Sequence, residues 1–176
     1  MKLFEAASST PASARYNVRM RTSLALLFGL GCSACVATSS ASGADERAAV
    51  AAVQSLFDGM RARDPAAVQA LLVDGAEFVA VEVMGIRPVA RRTSAASFLE
   101  SVGAGDEPWL ERMFEPEVDV RGDFAFAKMG YDFHFGEDYS HSGVDQIILA
   151  RAEGRWRVAC VTYSVVRDGA SPFGAR

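Results

Sequence analysis

The chain has 176 residues, of which 50% are hydrophobic and 23% are charged, a composition typical of a globular domain and not of a disordered chain. Beyond residue 44 the sequence has 14 Lys and Arg residues against 21 Asp and Glu residues, which gives a net charge of −7. Such an acidic surface repels a phosphate backbone, so nucleic acid is not expected as a partner.

Residues 1–37 have the pattern of a secretory signal peptide. From Met20 the sequence reads MRTSLALLFGLGCSACVA, in which an arginine precedes the apolar run Leu24 to Leu30 and small residues follow it. The run is too short to cross a membrane as a helix. The pattern begins so sharply at Met20 that translation could start there, and we predict no structure before it. The protein is therefore expected to be exported, either periplasmic or secreted.

Two cysteines follow the apolar run, where a bacterial lipoprotein signal places the cysteine that becomes lipidated. The serine and alanine before Cys35 suit that cleavage, whereas Cys32 stands where an aliphatic residue is expected. Cys35 and Cys32 are therefore lipidation candidates, and lipidation would anchor the protein to a membrane. Ordinary cleavage near Ala37 or Ala41 is the alternative.

Residues 38–44, TSSASGA, are small and polar and predict a flexible tether before a domain at residues 45–168. A first helix is predicted from Asp45, because apolar residues recur at helical spacing in DERAAVAAVQSLFDGMRARD. Asp64 followed by Pro65 is typical of an N-cap and a first helical position, so a second, short helix should follow.

The rest of the domain predicts a strand, a helix and four further strands. AEFVAVEVM is rich in β-branched residues and predicts a strand from about Glu77 to Met84, and TSAASFLESVGAG predicts a helix after the turn-like GIRPVARR. The last four strands reach Val120, run from Phe124 to about Phe135, run from Tyr139 to Arg151, and comprise WRVACVTYSVV. This order predicts an α+β fold in which a curved antiparallel sheet wraps around the helices, with a disordered tail at residues 169–176.

Two stretches resemble the nuclear transport factor 2-like superfamily. VQSLFDGMRARDPAAVQALLVDGAEFVA is similar to the long helix, short helix and first strand of that fold, and SHSGVDQIILARAEGRWRVACVTYS is similar to its last hairpin. The second stretch is most similar to a small group named for lumazine binding. The resemblance spans about residues 45–167 and implies a cone-shaped, cystatin-like roll with a pocket between sheet and helices. Ketosteroid isomerases, scytalone dehydratase and polyketide cyclases share this cone, so the resemblance implies no single activity.

The segment YDFHFGEDYSHSGVD, residues 131–145, contains both histidines of the chain and four of its acids. Alternation along the first of its strands places Asp132 and His134 on one face, and alternation along the second places His141 and Asp145 together. Pairing across a short turn would bring His134 near His141, although a register change of one residue would reverse that relation.

These polar side chains leave three roles open. Two imidazoles and a carboxylate can bind iron or zinc, but the spacing here matches no known set of ligands, and we predict neither a metal nor a cofactor. A histidine and a carboxylate in a pocket could instead transfer protons, which makes Asp132 and His134 catalytic candidates. Solvated side chains at the tip of a hairpin are the third possibility.

The resemblance to ketosteroid isomerase makes Glu82 a further catalytic candidate. The carboxylate base of that enzyme lies at the end of the first strand, three residues before a glycine, as Glu82 lies before Gly85. Its tyrosine donor projects from the first helix, where this chain has Leu56 and Phe57, so the donors that hold the oxyanion are missing. Glu82 is therefore either a general base or a polar residue of the pocket or surface.

Six residues are expected to line the ligand pocket: Phe57, Trp109, Lys128, Tyr131, His141 and Asp145. Trp109 lies in a loop before the sheet and could form a lid over the pocket. Lys128 lies among apolar neighbours and could face a ligand carboxylate, or its stem could lie on the surface with its charge in water.

Three functions remain open from the sequence. The first is a binding module for a small apolar or aromatic ligand. The second is an isomerase, dehydratase or cyclase that uses a pocket carboxylate or a His/Asp pair as general base. The third is an accessory structural lipoprotein. We also expect a homodimer formed through the outer face of the sheet.

Overall fold

The computed structural model describes residues 37–84, 86–167 and 169–174. The lipidation candidates Cys32 and Cys35 lie outside this part of the chain, as does the predicted signal peptide up to residue 36. None of the described helices is both long enough and apolar enough to cross a membrane. The helices are α1 (Ala37–Arg61), α2 (Pro65–Ala70) and α3 (Ala95–Gly103), and the strands are β1 (Leu72–Met84), β2 (Arg87–Ser94), β3 (Trp109–Arg121), β4 (Phe124–Phe135), β5 (Asp138–Ala152) and β6 (Arg155–Val165).

The strands form one sheet in the order β2-β1-β6-β5-β4-β3. β1 pairs with β6 in parallel, and the other described pairings are antiparallel. Register shifts interrupt the β1–β6, β3–β4, β4–β5 and β5–β6 pairings, and such bulges bend the strands that contain them. The predicted α+β class and the curved sheet that wraps around helices are confirmed.

The core forms between α1 and the inner face of the sheet. α1 buries Val53, Leu56, Phe57 and Met60, whose spacing of three, four and seven residues places them on one side of the helix. β4 contributes alternate buried residues of its inner face, among them Met129. Short-range signals in the sequence are sufficient to explain this layer.

The segment predicted as a turn, GIRPVARR, contains the greater part of β2, which pairs with β1 from Glu77–Ser94 to Met84–Arg87. This expectation was wrong because β2 lies at the edge of the sheet with mostly exposed side chains, so its sequence lacks hydrophobic alternation. β1 also begins earlier than expected, at Leu72.

α1 begins at Ala37, whereas we expected a flexible tether over residues 38–44. Those residues contain no proline and one glycine, and extending an existing helix requires far less free energy than starting one. The predicted second helix is capped as expected, because the Asp64 carboxylate accepts hydrogen bonds from the backbone N–H groups of Ala66 and Ala67, both at 3.0 Å.

The tail was predicted to be disordered, yet residues 169–174, which we call the C-terminal segment, pack on the outer face of the sheet. The ring of Phe173 stacks on that of Phe114, with 4.1 Å between ring centroids. Gly130 makes room for this ring, since a Cβ atom there would lie 2.7 Å from Cζ of Phe173. This aromatic contact offsets part of the conformational entropy that is lost when the segment is ordered.

Candidate functional site

A cavity of about 250 Å³ lies between the inner face of the sheet and the helices α1 and α3. The rings of Phe78 and Phe98 stack at 3.8 Å along one wall, and Trp109 meets Phe133 edge to face at 5.9 Å. The guanidinium of Arg63 lies 4.2 Å from the ring centre of Trp109 and helps to fix its position. Aromatic side chains dominate the lining and include Phe57, Phe78, Phe98, Trp109, Tyr131 and Phe133.

Two acids, Glu111 of β3 and Asp145 of β5, project into this aromatic cavity and form a hydrogen bond to each other. Burial raises the pKa of Glu111 well above its usual range, and the neighbouring charge of Asp145 raises it further. Burial also raises the pKa of Asp145, to about 7, although the hydrogen bond from Glu111 acts in the opposite direction. At neutral pH the pair therefore holds a proton, which Glu111 donates to Asp145.

Asp145 is almost fully buried, with 1% of its surface exposed, whereas Glu111 keeps some accessible surface because it lines the cavity. Among the described residues, Oδ2 of Asp145 is buried and has no hydrogen-bond partner. A buried carboxylate oxygen without a fixed donor is unfavourable in a finished core. Oδ2 of Asp145 can therefore accept a hydrogen bond from a ligand in the cavity.

His141 lines the same cavity as a neutral imidazole. Burial lowers the pKa of His141 to about 4, and the positive charge of Arg167 lowers it further. Its ring stacks against Phe133 at 5.2 Å, and its Nδ1 lies 3.0 Å from the hydroxyl oxygen of Ser140. His141 can therefore exchange hydrogen bonds with a ligand without adding positive charge to the cavity.

Two tyrosines complete the polar part of the lining. The hydroxyl of Tyr131 donates to the backbone carbonyl of Ser164 at 2.8 Å, and the ring of Tyr163 lies edge to face with that of Tyr131. Burial raises the pKa of both phenols above the usual value for tyrosine, so both keep their protons at neutral pH.

Five of the six residues expected in the ligand pocket line the cavity, namely Phe57, Trp109, Tyr131, His141 and Asp145. Their contact with a ligand stays a prediction. The sixth, Lys128, is on the opposite face of β4, where its ammonium lies 3.1 Å from a carboxylate oxygen of Glu117 and half of the side chain is exposed. This correction follows from alternation, because Lys128 and Tyr131 differ by an odd number of residues and so point to opposite faces.

The catalytic candidates Asp132 and His134 lie on the outer face of the sheet, beneath the C-terminal segment, and do not reach the cavity. Asp132 is fully buried and accepts hydrogen bonds from the Arg112 guanidinium and the Ser171 hydroxyl. Burial alone would raise the pKa of Asp132, but these hydrogen bonds outweigh it and hold the pKa below the usual value. This aspartate is a component of a structural ion pair.

The two histidines lie on opposite faces, contrary to the pairing that would bring them together. His134 pairs with Tyr139 and Phe133 pairs with His141, so Ser140 is an extra residue without a partner in β4. This bulge shifts the register by the one residue that reverses their relation. Nε2 of His134 instead lies 3.5 Å from Oδ1 of Asp132.

Glu82 does not line the cavity. Its carboxylate lies 3.3 Å from Nε of Arg167, and a quarter of its side chain is exposed. Among the described residues, no group of three or more His, Cys, Asp or Glu side chains is arranged to hold a metal ion.

The sequence analysis missed Glu111, although its signal is visible. Glu111 alternates with Trp109 and Met113 along β3, so it stands at an inward position between two large apolar residues. On the other face of the strand Leu110 and Phe114 flank Arg112 in the same way, so the sequence did not show whether Glu111 or Arg112 points inward.

Comparisons with known proteins agree with this architecture. A family model described as "Putative lumazine-binding" matches residues 44–164. A function-unknown protein from Mycobacterium tuberculosis is 15% identical and superimposes with a TM-score of 0.61 over 81% of this chain and 83% of that chain. A Streptomyces avermitilis protein described as "a putative dehydratase from the NTF2-like family" is 16% identical, with a TM-score of 0.55 over 71% and 98% of the two chains.

A protein of unknown function with a cystatin-like fold, from Nostoc punctiforme, is 9% identical and gives a TM-score of 0.56 over 74% of this chain and 96% of that chain. At such low identities these structures show a shared fold alone. No curated protein matches the sequence.

Proposed function

The chain belongs to the family described as "Putative lumazine-binding", within the nuclear transport factor 2-like superfamily, and from this premise we propose that its cavity binds a small, largely aromatic ligand. The observation that carries the proposal is the cavity itself, about 250 Å³ of space lined mainly by aromatic rings with a polar end. Such a volume suits a molecule of one or two rings, and stacking would hold it in the orientation that reaches the acids. The family description names lumazine, a fused two-ring heterocycle, which is therefore one of the probes.

The test is a panel of one-ring and two-ring aromatic compounds, lumazine among them, measured by thermal unfolding and by the fluorescence of Trp109. A bound ligand stabilises the folded state, so at saturating concentration we expect the melting temperature to rise by several degrees. Ser101→Trp places a large side chain in the cavity wall on α3 and should abolish the rise. Glu100→Trp adds the same ring to an exposed neighbour and should leave it intact.

The proposal fails if no compound in the panel raises the melting temperature, or if the Ser101→Trp variant binds as well as the unmodified protein. In that case the accessory structural role, with an unused cavity, becomes the better explanation. Native mass spectrometry of protein purified from its own host would add an independent test, because a retained ligand would appear as an increase in mass.

A second candidate is an enzyme of the isomerase, dehydratase or cyclase type, and the acid pair favours it. A general base works best when its pKa is close to the working pH, and Asp145 has a pKa of about 7 beside the cavity. Asp145 would then remove a proton from the ligand while Glu111 and the phenol of Tyr163 donate hydrogen bonds. In this candidate the general base is a carboxylate that lines the cavity, and not Glu82, Asp132 or His134 as first considered.

Proton exchange tests this enzymatic candidate. We expect the protein to accelerate exchange of the carbon-bound protons beside the carbonyl of 2-indanone in D₂O, followed by NMR at pH 7.5. Asp145→Asn should remove the acceleration, and Glu82→Gln should retain it, because Glu82 lies outside the cavity. Exchange at the buffer rate with the unmodified protein would rule out proton abstraction of this kind and leave ligand binding as the function.

We further propose that the protein is exported through its signal sequence, with a lipid anchor at Cys35 or Cys32, and that it forms a homodimer through the outer face of the sheet. Support for export comes from the sequence pattern alone. Support for the dimer comes from apolar residues that are exposed on the outer face, Phe124, Phe126, Val144 and Ile148. Cell fractionation with mass spectrometry of the mature N-terminus tests the first proposal, and light scattering tests the second.

A further inference from the structure

The polar end of the cavity carries two acids, and among the described residues no lysine or arginine lines the cavity. We propose that the cavity selects an aromatic ligand with a positively charged nitrogen group, such as an amidine or a protonated ring nitrogen, placed between Glu111 and Asp145. This inference rests on the proposed function, since it specifies the chemical class of the ligand that the cavity binds.

Charge balance is the first step of the argument. Two negative charges cannot be buried side by side without a counter-ion, so without a ligand the pair keeps a proton. A ligand cation can balance the charge that Asp145 carries once it is ionised. Its N–H groups would also supply the donor that Oδ2 of Asp145 lacks.

The aromatic lining is the second step. The faces of Trp, Tyr and Phe rings attract cations, and rings of all three types line the same cavity as the acids. Such rings compensate part of the hydration that a cation loses on entry. A neutral ligand would gain the stacking without this additional attraction.

The charged groups around the cavity act in both directions, because the guanidiniums of Arg167 and of Arg63, which lies 4.2 Å from the ring centre of Trp109, oppose a cation. His141 is neutral, because burial lowers its pKa to about 4, and it therefore does not repel a cation. The negative charge of Asp132 on the other side of the sheet raises the pKa of Glu111, but Arg112 balances that charge within the outer ion pair. Arg167 is the positive charge whose field reaches His141 and the two cavity tyrosines, and its ion pair with Glu82 at 3.3 Å reduces its repulsion.

Anionic ligands are disfavoured by the same arrangement. A ligand carboxylate would lie beside two acids, and its entry would require a second proton or an unpaired buried charge. The sequence analysis had allowed Lys128 to bind a ligand carboxylate, but its position on the outer face removes that possibility.

Three probes of nearly equal shape test the inference: benzamidine, benzamide and benzoate, which carry charges of about +1, 0 and −1 at pH 8. Isothermal titration calorimetry at pH 8 should show that benzamidine binds at least about tenfold more tightly than benzamide, a difference of about 1.4 kcal/mol. Benzoate should show no measurable binding. Because benzamidine favours the ionised form of Asp145, whose pKa is about 7, its affinity should rise from pH 5.5 to 7.5, and titrations in buffers of different ionisation enthalpy should detect proton release.

Asp145→Asn tests whether the acid pair causes this preference. The amide has nearly the same shape without the charge, so we expect benzamidine to lose at least about tenfold in affinity while benzamide is unaffected. Glu111→Gln serves the same purpose if the first variant does not fold. Glu100→Gln is the matched control, since it removes an exposed acid outside the cavity lining, and it should preserve the preference for benzamidine.

The outcomes separate this inference from the proposed function. If benzamide or benzoate binds as tightly as benzamidine, the cavity binds aromatic ligands but the selectivity for cations is wrong. If both acid variants keep the full preference, the acid pair is not its cause and the inference is again wrong. If none of the three probes and no member of the neutral panel binds, the proposed function itself fails.

Discussion

Asp132 and Asp145 are aspartates of neighbouring strands with 0% and 1% of their surface exposed, yet the protein shifts their pKa values in opposite directions. Asp132, on the outer face, receives hydrogen bonds from Arg112 and from Ser171 of the C-terminal segment. Asp145, on the cavity face, meets a second acid, Glu111. Burial opposes ionisation at both positions, so the partner decides the charge of each aspartate at neutral pH.

The comparison separates a structural site from a functional one. The outer ion pair is complete within the protein, because the charge of Asp132 is balanced by Arg112. The negative charge of the inner pair is balanced only when a proton or a ligand is bound. This pair lines a cavity that a ligand can enter. Acids with shifted pKa values are typical of binding and catalytic sites when they border a cavity and no neighbouring group balances their charge.

The largest expected effect is at the outer ion pair. Arg112→Met would leave Asp132 buried without its cation, and we expect the free energy of unfolding at pH 7 to fall by about 3 kcal/mol. Urea denaturation measures the change, and Arg121→Met is the matched control on the same strand. Arg121 pairs with Asp119 at 3.0 Å on the surface, so its loss should stay within about 0.5 kcal/mol. Equal losses in the two variants would contradict the assignment of Asp132 as a buried, balanced charge.

Two glycines extend the comparison to the backbone. A Cβ atom at Gly143, on the cavity face of β5, would lie 2.0 Å from the carbonyl oxygen of Ser164, so Gly143→Ala should lower the free energy of unfolding by about 2 to 3 kcal/mol. At Gly130, on the outer face, the close atoms belong to the ring of Phe173, which can move. Gly130→Ala should therefore cost about 1 kcal/mol or less, and a larger loss would mean that the C-terminal segment is held as rigidly as the sheet.

The inner pair should make stability depend on pH in a defined direction. The folded pKa of Asp145, about 7, lies above its value in the unfolded chain, so the folded protein binds more protons and its stability falls as pH rises from about 4 to 7. Asp145→Asn removes this term and should stabilise the protein at pH 8 by on the order of 2 kcal/mol, with little effect at pH 4.5. Asp132 acts oppositely, because its lowered pKa gives stability that is lost only as pH falls below about 4.

Urea denaturation of both proteins at pH 4.5, 6 and 8 provides the measurement. The difference between Asp145→Asn and the unmodified protein should grow with pH and level off above about 7.5. A constant difference at all three pH values would mean that Asp145 has the same pKa in the folded and unfolded states, and the contrast with Asp132 would disappear.

Much of the fold could be predicted from the sequence because its signals are local. The helical spacing in α1, the cap at Asp64 and the alternation along β4 and β5 each concern residues close together in the chain. Alternation also separated Tyr131 from Asp132 correctly by face. It could not tell which of those faces is the inner one, and for that reason Lys128 was expected in the pocket.

The acid pair could not be predicted because it depends on distant parts of the chain. Glu111 and Asp145 meet only through the curvature of β3, β4 and β5, which in turn reflects bulges that no local pattern reveals. The bulge at Ser140 likewise determines the faces of both histidines. Edge strand β2 and the C-terminal segment share this difficulty, since their sequences are polar or small and their contacts are long-range.

The smallest expected effect concerns the C-terminal segment, which packs on the outer face of the sheet. Phe173→Ala removes a ring that is 40% exposed and stacks on Phe114, so the free energy of unfolding should fall by about 1 kcal/mol in urea denaturation. Phe126→Ala is the control, a ring 49% exposed on the same face, with an expected change within about 0.5 kcal/mol. Benzamidine affinity should be unchanged in both variants, because the cavity lies on the opposite side of the sheet. A loss of affinity in Phe173→Ala alone would show that the C-terminal segment acts on the acid pair through the strands, and the two faces would no longer be independent.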